Sequence, residues 1–277
     1  MVNLFHAGMG RLWKDKILWA CTGAYFVFSA YYMWSTHQDL LASGESWPLD
    51  NLFFASLPYY AVACAVFVSL FVGTEYADGT LRNKIIVGHA RWEVYLSTYL
   101  VCLAGDLVIL SGWLAGELTG IFYFGFWQAP AHQLILTAGC LVLMSAAITG
   151  LLVLFSLSFT NRAVTAVEAV LLATALLMTA SLLYNRLSEP KINSASVVVH
   201  ENGQMEQLPP APNPYYLDGW QREAALWFLD VFPTGQTLYL AADGALPHPA
   251  RSAAASVALV TLSGLTGAAI FVKKDLK

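Results

Sequence analysis

Six long apolar stretches constrain this chain more than any other feature. They cover residues 17–34, 52–73, 95–117, 134–155, 163–184 and 253–272. Each approaches the roughly 20 residues needed to cross about 30 Å of hydrocarbon. Backbone amides find no water at that depth, and none of the stretches alternates apolar with polar residues as a strand would, so each is expected to be a helix. The expected class is an all-α membrane protein with six transmembrane helices. Composition excludes a water-facing surface throughout, because 57% of the 277 residues are hydrophobic and 12% charged, against about 25% charged in a soluble domain. Residues 1–16 are polar and no small-residue cleavage site follows residue 34, so the first stretch reads as a span and not as a cleaved leader. Basic residues are too few and scattered for a nucleic-acid footprint.

The placement of those basic residues orients the spans. Arg11, Lys14 and Lys16 precede the first, Arg82, Lys84 and Arg91 lie between the second and third, Arg162 separates the fourth and fifth, and Lys273, Lys274 and Lys277 end the chain. Ten of the fourteen Lys and Arg thus fall on one side, and the short opposite loops 35–51 and 118–133 contain none. By the positive-inside rule both termini are cytoplasmic. Leu4, Phe5, Met9, Leu12 and Trp13 share a helical face, so residues 1–16 read as an amphipathic helix in the cytoplasmic interface.

Residues 185–251 form the only sizeable external segment. Residues 196–199 and 204–208 flank Glu201-Asn202-Gly203, a hairpin turn signal. Pro209, Pro210, Pro212 and Pro214 suggest a stiff connector. Residues 220–232 then read as a short amphipathic helix with Ala224, Leu226, Trp227 and Val231 on its apolar face, ending at Pro233-Thr234-Gly235 and resting on the outer leaflet or on the tops of the spans. No nucleophile–His–acid set stands out there, and no catalytic residue is assigned.

Polar groups inside the spans need an explanation. Asp106 and Glu117 are eleven residues apart on one face of the third span, and Glu168 lies in the fifth. A charge at mid-bilayer costs at least about 2.5–3.5 kcal/mol, so Asp106 and Glu117 are candidates for a translocation path or for a structural pairing with a neighbouring helix. The plainer alternative leaves Glu117 and Glu168 solvated at the two interfaces. Gly112, Gly116 and Gly120 recur every fourth residue, a spacing that lets helices approach closely. Pro58, midway along the second stretch, is expected to kink it. Trp19, Trp34, Trp47, Trp127 and Tyr184 fit interfacial belts. Cys21, Cys64, Cys102 and Cys140 each lie in a different apolar run and read as small apolar fillers. His6, His37, His89, His132, His200 and His248 are dispersed without metal-ligand spacing, so no metal is assigned.

The most polar connection runs from Glu75 to Arg91. Gly79 and Gly88 punctuate it, and Leu81, Ile85 and Ile86 align between them while Arg82, Asn83 and Lys84 occupy other faces. Periodicity alone fits both a surface-lying connector and an element that docks a partner. The string Glu75-Tyr76-x-x-Gly79-Thr80-Leu81-Arg82-Asn83-Lys84, followed by Gly88, Arg91 and Tyr95-Leu96-Ser97, resembles the coupling segment of type-2 ABC exporter permeases. The ending Phe271-Val272-Lys273-Lys274-Asp275-Leu276-Lys277 resembles that family's C-terminus. The order of parts is also similar, so the likeness extends over the whole chain in architecture, with residues 75–97 and the tail as its specific motifs.

That resemblance implies a single permease domain over 1–277, with an interfacial helix at 1–16, a cytoplasmic coupling segment at 74–94 and an extracellular segment at 185–251. It implies two permease copies, identical or paralogous, paired with separate ATPase subunits in a bacterial plasma membrane. The coupling helix, residues 79–91 with Glu75 and Tyr76 at its start, would dock on the ATPase. ATP and Mg would sit on that partner and no cofactor on this chain, which has no G-x-x-x-x-G-K-[ST] phosphate loop. An amphiphilic or peptide-like cargo would cross by alternating access. Rival readings are an intramembrane lipid-modifying enzyme, which needs converging acid and base groups at one depth, and a sensory or structural protein using 185–251 as an ectodomain. A secondary transporter would show internal repeats, and no convincing repeat relates the two halves.

Overall fold

The computed structural model describes residues 1–125, 128–159, 161–193, 196–199 and 205–274. The chain opens with α1 (Val2–Leu12) and α2 (Lys16–Ser43), which are separated by a turn at Trp13–Asp15. The Asp15 carboxylate accepts the Ile17 and Leu18 amides at 2.6 and 3.2 Å, capping α2. Then follow α3 (Leu49–Leu52), a 3₁₀ turn Leu57–Tyr59, α4 (Tyr60–Ala77), α5 (Thr80–Ile86) and α6 (Arg91–Glu117). A 3₁₀ turn Leu118–Gly120 and α7 (Ile121–Phe124) lead to α8 (Ala131–Ser158) and α9 (Arg162–Ser188). Four short strands come next, β1 (Ile192–Asn193), β2 (Ser196–Val199), β3 (Met205–Leu208) and β4 (Ala211–Pro212), before α10 (Gly219–Val231), α11 (Pro233–Asp243) and α12 (Pro249–Lys273).

Among the described residues the six long helices alternate in direction. The α-amino group of Met1 lies 3.6 Å from Glu93 at the start of α6, and Arg91 beside it donates to backbone oxygens at the end of α12, including Val272 at 3.3 Å. Met1 and Lys274 therefore lie at the same end of the bundle. Five stretches, Leu49–Ala77, Arg91–Phe124, His132–Ser158, Arg162–Ser188 and Pro249–Lys273, are long and apolar enough to cross a membrane. The residue 17–34 stretch lies inside α2, which is as long as these but less apolar because Trp19, Tyr25, Tyr31, Tyr32 and Trp34 interrupt its aliphatic run.

Helix α6 is the axis of the core. Two of its glycines face α2 at a distance that no side chain could occupy: a Cβ on Gly112 would lie 2.9 Å from the Thr22 carbonyl oxygen, and one on Gly116 would lie 2.7 Å from that of Phe26. The spaced glycines thus serve close packing. The contacts advance in register (22 to 112, 26 to 116), so α2 and α6 run in the same direction. The amphipathic helix α1 also lies along α6, with Gly8 against Val101 and Leu12 near Gly105. Its apolar face, with Leu4 and Leu12 buried, is covered by protein, while Trp13 is half-exposed against Trp19. The four cysteines are free, with Cys64 and Cys102 buried as apolar fillers.

Several expectations are corrected. Pro58 does not kink a helix spanning 52–73. It sits in the 3₁₀ turn that precedes α4, because a residue lacking N–H is best placed in a first turn, where no intrahelical partner is lost. Helix α10 turns a different face inward from the one its apolar periodicity suggests. Ala225, Leu229 and Asp230 are buried, while Trp227 is 55% exposed, because Arg251 neutralises Asp230 at 2.7 Å and stacks on Trp227. Pro233-Thr234-Gly235 does end α10, but Pro233 at once starts α11, which buries Thr234, Gln236 and Thr237 in the bundle. Pro212 is less a connector than a strand residue, since β4 pairs antiparallel with β1. Strands β2 and β3 pair from Ser196–Leu208 to Val199–Met205. The turn Glu201-Asn202-Gly203 and residues Trp127, His200, Gln204, Asp275, Leu276 and Lys277 lie outside the described residues.

Candidate coupling site at the Glu75 junction

The end of α4 is where distant parts of the chain meet. Gly79 adopts φ +65°, a left-handed conformation natural to glycine. It lets the chain reverse from α4 into the two turns of α5. Thr80 Oγ1 donates to the Glu75 carbonyl oxygen at 2.9 Å and fixes that reversal. Gly88, at φ +102°, returns the chain to α6. Short helices are marginal alone, so α5 depends on what holds it.

Glu75 holds it. Its side chain is 1% exposed, yet it is charge-paired twice. Arg11 Nη1 of α1 donates to Oε1 at 2.9 Å, and Lys84 Nζ of α5 donates to both oxygens at 3.0 and 3.1 Å. Three elements, α1, α4 and α5, thus share one buried carboxylate. Leu81 adds an apolar anchor, buried in the core, and Ile85 packs beside it.

Tyr76 forms the second half of the junction. Its hydroxyl donates to the Leu157 carbonyl oxygen of α8 at 2.8 Å and accepts from Lys274 Nζ at 3.0 Å. Lys274 also donates to Leu157 at 2.7 Å and lies over the Tyr76 ring at 4.7 Å. Burial pushes the Lys274 ammonium down to about 8. Arg91 reaches the backbone oxygens of Val272, at 3.3 Å, and of Lys274, so α6 and α12 are tied at the same level.

The predicted coupling residues therefore divide into two groups. Glu75, Tyr76, Thr80, Leu81, Lys84 and Arg91 face inward and bind the rest of the molecule. Arg82 and Asn83 are exposed, and beyond them so are Ile86 (68%) and Val87 (79%). Ile86 does not share the buried face of Leu81 and Ile85: a helix this short covers a narrow stripe, and the fifth residue on from Leu81 falls past its edge. The role of Arg11 was not legible locally, because its partner is sixty-four residues away.

Asp106 and Glu117 sit elsewhere, in two enclosed polar nests. Both are fully buried, so Glu117 is not solvated at an interface. Thr149 Oγ1 donates to Asp106 Oδ2 at 2.5 Å, and Tyr60 OH donates to the Asp106 carbonyl oxygen at 2.8 Å. Glu117 accepts from Ser56, which also takes hydrogen bonds from Trp113 Nε1 at 3.0 Å and, at its carbonyl oxygen, from Tyr25 OH at 3.1 Å. The Glu117 carboxylate thus reaches Ser56, just before the 3₁₀ turn that precedes α4, whereas Asp106 meets Tyr60 through its backbone and turns its carboxylate to Thr149 of α8. Glu168 lies apart on the flank of α9, half-buried.

Comparison with known protein families, with characterised proteins and with solved structures finds no match to this chain.

Proposed function

We propose that this chain is the membrane-spanning permease subunit of an ABC exporter whose ATPase is a separate polypeptide. The observation that carries the reading is the two-sided character of α5. Its inner residues are locked to α1 and α4 through Glu75, while Arg82, Asn83, Ile86 and Val87 stand free on the other side. A connector that only joined two spans would not need a doubly paired buried carboxylate behind it, nor a free apolar tip in front. A partner gripping that tip would move α1, α4 and α6 together, and through Tyr76, Arg91 and Lys274 the ends of α8 and α12 as well.

In this reading α2 is a sixth crossing, which is supported by the position of Met1 and Lys274 beside Glu93 and Arg91 at one end of the bundle. Both termini are cytoplasmic, a second permease copy completes the complex, and ATP and Mg bind the ATPase. The cargo is amphiphilic or peptide-like. An intramembrane enzyme would need an acid or base open to substrate, whereas Asp106 and Glu117 are enclosed by hydroxyls of the protein itself.

The test must separate the two faces of α5. Arg82→Glu combined with Ile86→Asp changes only exposed groups, so the purified permease should keep its melting temperature. It should nevertheless lose co-purification with the ATPase and about tenfold or more of the stimulated ATP turnover, as expected for interface anchors. Unchanged turnover would remove the main support for the proposal. Lys84 is unsuitable for this purpose, because its substitution disturbs Glu75.

A further inference from the structure

Three of the four basic residues between 185 and 251 converge on one place, at the end of the bundle opposite Met1 and Lys274. Arg186 lies in the last turn of α9, stacks over the Tyr215 ring at 4.7 Å and donates to its carbonyl oxygen at 3.3 Å. Arg222 of α10 lies 5.5 Å from the centre of the Tyr216 ring and donates to the Leu187 carbonyl oxygen at 3.3 Å. Lys191 approaches the same ring at 6.0 Å and Asp218 at 3.8 Å. Among the residues whose side chains are described, neither arginine is paired with an acid. Stacking and carbonyl contacts hold each guanidinium in place without neutralising it.

Arg186 and Tyr216, the ring that Arg222 and Lys191 approach, also line a cavity of about 610 Å³, together with Leu182, Leu183, Trp220 and Phe228. The cavity continues onto an apolar stripe down α9. Leu182, Met178, Leu171 and Val167 are each 60–65% exposed and fall on one helical face. Exposed Trp220 stands beside the mouth, as tryptophan does where hydrocarbon meets headgroups. Fixed positive charge, a hollow that Arg186 helps to line and an apolar track leading away match one molecular shape.

We infer that this is a binding site for an anionic phospholipid, with the phosphate on Arg186 and Arg222 and an acyl chain in the cavity and along α9. The guanidinium fork suits phosphate geometry, and the net negative charge of the headgroup complements a site whose arginines are not already neutralised. The site requires only that the chain lie in a bilayer. It is independent of the exporter reading and would survive the failure of that reading.

The experiment uses the full chain purified in a neutral detergent, without any ATPase. Phosphatidylglycerol, phosphatidylcholine or inorganic phosphate is added at equal concentration, and retained lipid is counted by native mass spectrometry beside a melting curve. Phosphatidylglycerol should bind about tenfold tighter than phosphatidylcholine, because both bring the same phosphodiester and only phosphatidylcholine sets a choline cation beside the arginines, and should raise the melting temperature. Inorganic phosphate should do neither. R186Q with R222Q should abolish the preference, and A224W, which fills the cavity from an exposed position, should abolish retention of either lipid. Should the arginine variant fail to fold, A224W decides. Equal binding of the two lipids, stabilisation by phosphate alone, the preference persisting in the arginine variant, or lipid retained by A224W would overturn the inference.

Discussion

Glu75 keeps 1% of its side chain exposed, whereas its partners Arg11 and Lys84 keep 37% and 15%. That difference sets an order of mutational cost. Replacing the two cations, Arg11→Met with Lys84→Met, strands a buried carboxylate and should cost about 3–5 kcal/mol. Glu75→Gln leaves two cations that can turn toward water and should cost only about 1–2 kcal/mol. Thermal unfolding of the purified variants checks the ranking, and a reversed order would mean that Glu75 is not the keystone of the junction. Lys274 offers a pH test at the same scale. Its folded value of about 8 lies below the ordinary 10.5, so between those values the unfolded chain binds more protons than the folded one. The charge is thus a penalty present in full below pH 8 and relieved as pH rises toward 10.5. Lys274→Met should therefore gain on the native protein at pH 7 and lose that advantage by pH 10, measured as the difference in melting temperature. An unchanged difference across that range would mean that Lys274 is solvated.

At the scale of elements, the contact of α2 with α6 rests on glycine. A Cβ on Gly116 would meet the Phe26 carbonyl oxygen and Ser29 Cβ, both at 2.7 Å, and backbone cannot rotate away. Gly116→Val should therefore force α2 off α6 and cost about 1–3 kcal/mol or more. Gly139→Ala in α8, with nothing within 4 Å, should be neutral or slightly stabilising in the same unfolding assay. If both behave alike, the close approach is not what holds these helices together. The glycine spacing was visible in the sequence, and so was the packing role. Helix α11 was not, because Pro233-Thr234-Gly235 ends one helix and begins another with the same residues. Helix α10 was located but turned: its apolar periodicity favours Trp227, while the partner that buries Asp230 arrives from Arg251.

For the whole molecule, the alternating directions of the six long helices bring Met1 and Lys274 to the same end of the bundle, the end that carries α5. This arrangement makes Glu75, Tyr76 and Arg91 a junction for α1, α4, α6, α8 and α12 at one end. At the other end α10 and α11 close over α9 and α12, and Arg186 and Arg222 gather there. A rigid junction at one end and a basic, aromatic rim at the other give the bundle two chemically distinct faces. The ATPase experiment addresses the first face and the lipid experiment the second, so each can fail without the other.

The sequence by itself determined the predominantly helical, apolar class of the chain and the approximate position of its long helices, apart from the start of α4. Burial of an apolar run in hydrocarbon depends on local composition and length, and both are written in consecutive residues. It also determined the two turns of α5 and their glycine boundaries. Only the tertiary structure decided which side of each helix is covered. It turned Lys84 inward and Arg82 outward, placed Pro58 at a helix start, and enclosed Asp106 against Thr149 and Glu117 against Ser56. The reason is physical: the free energy of a polar or charged side chain is set by the groups that surround it, and here those groups come from helices far away along the chain.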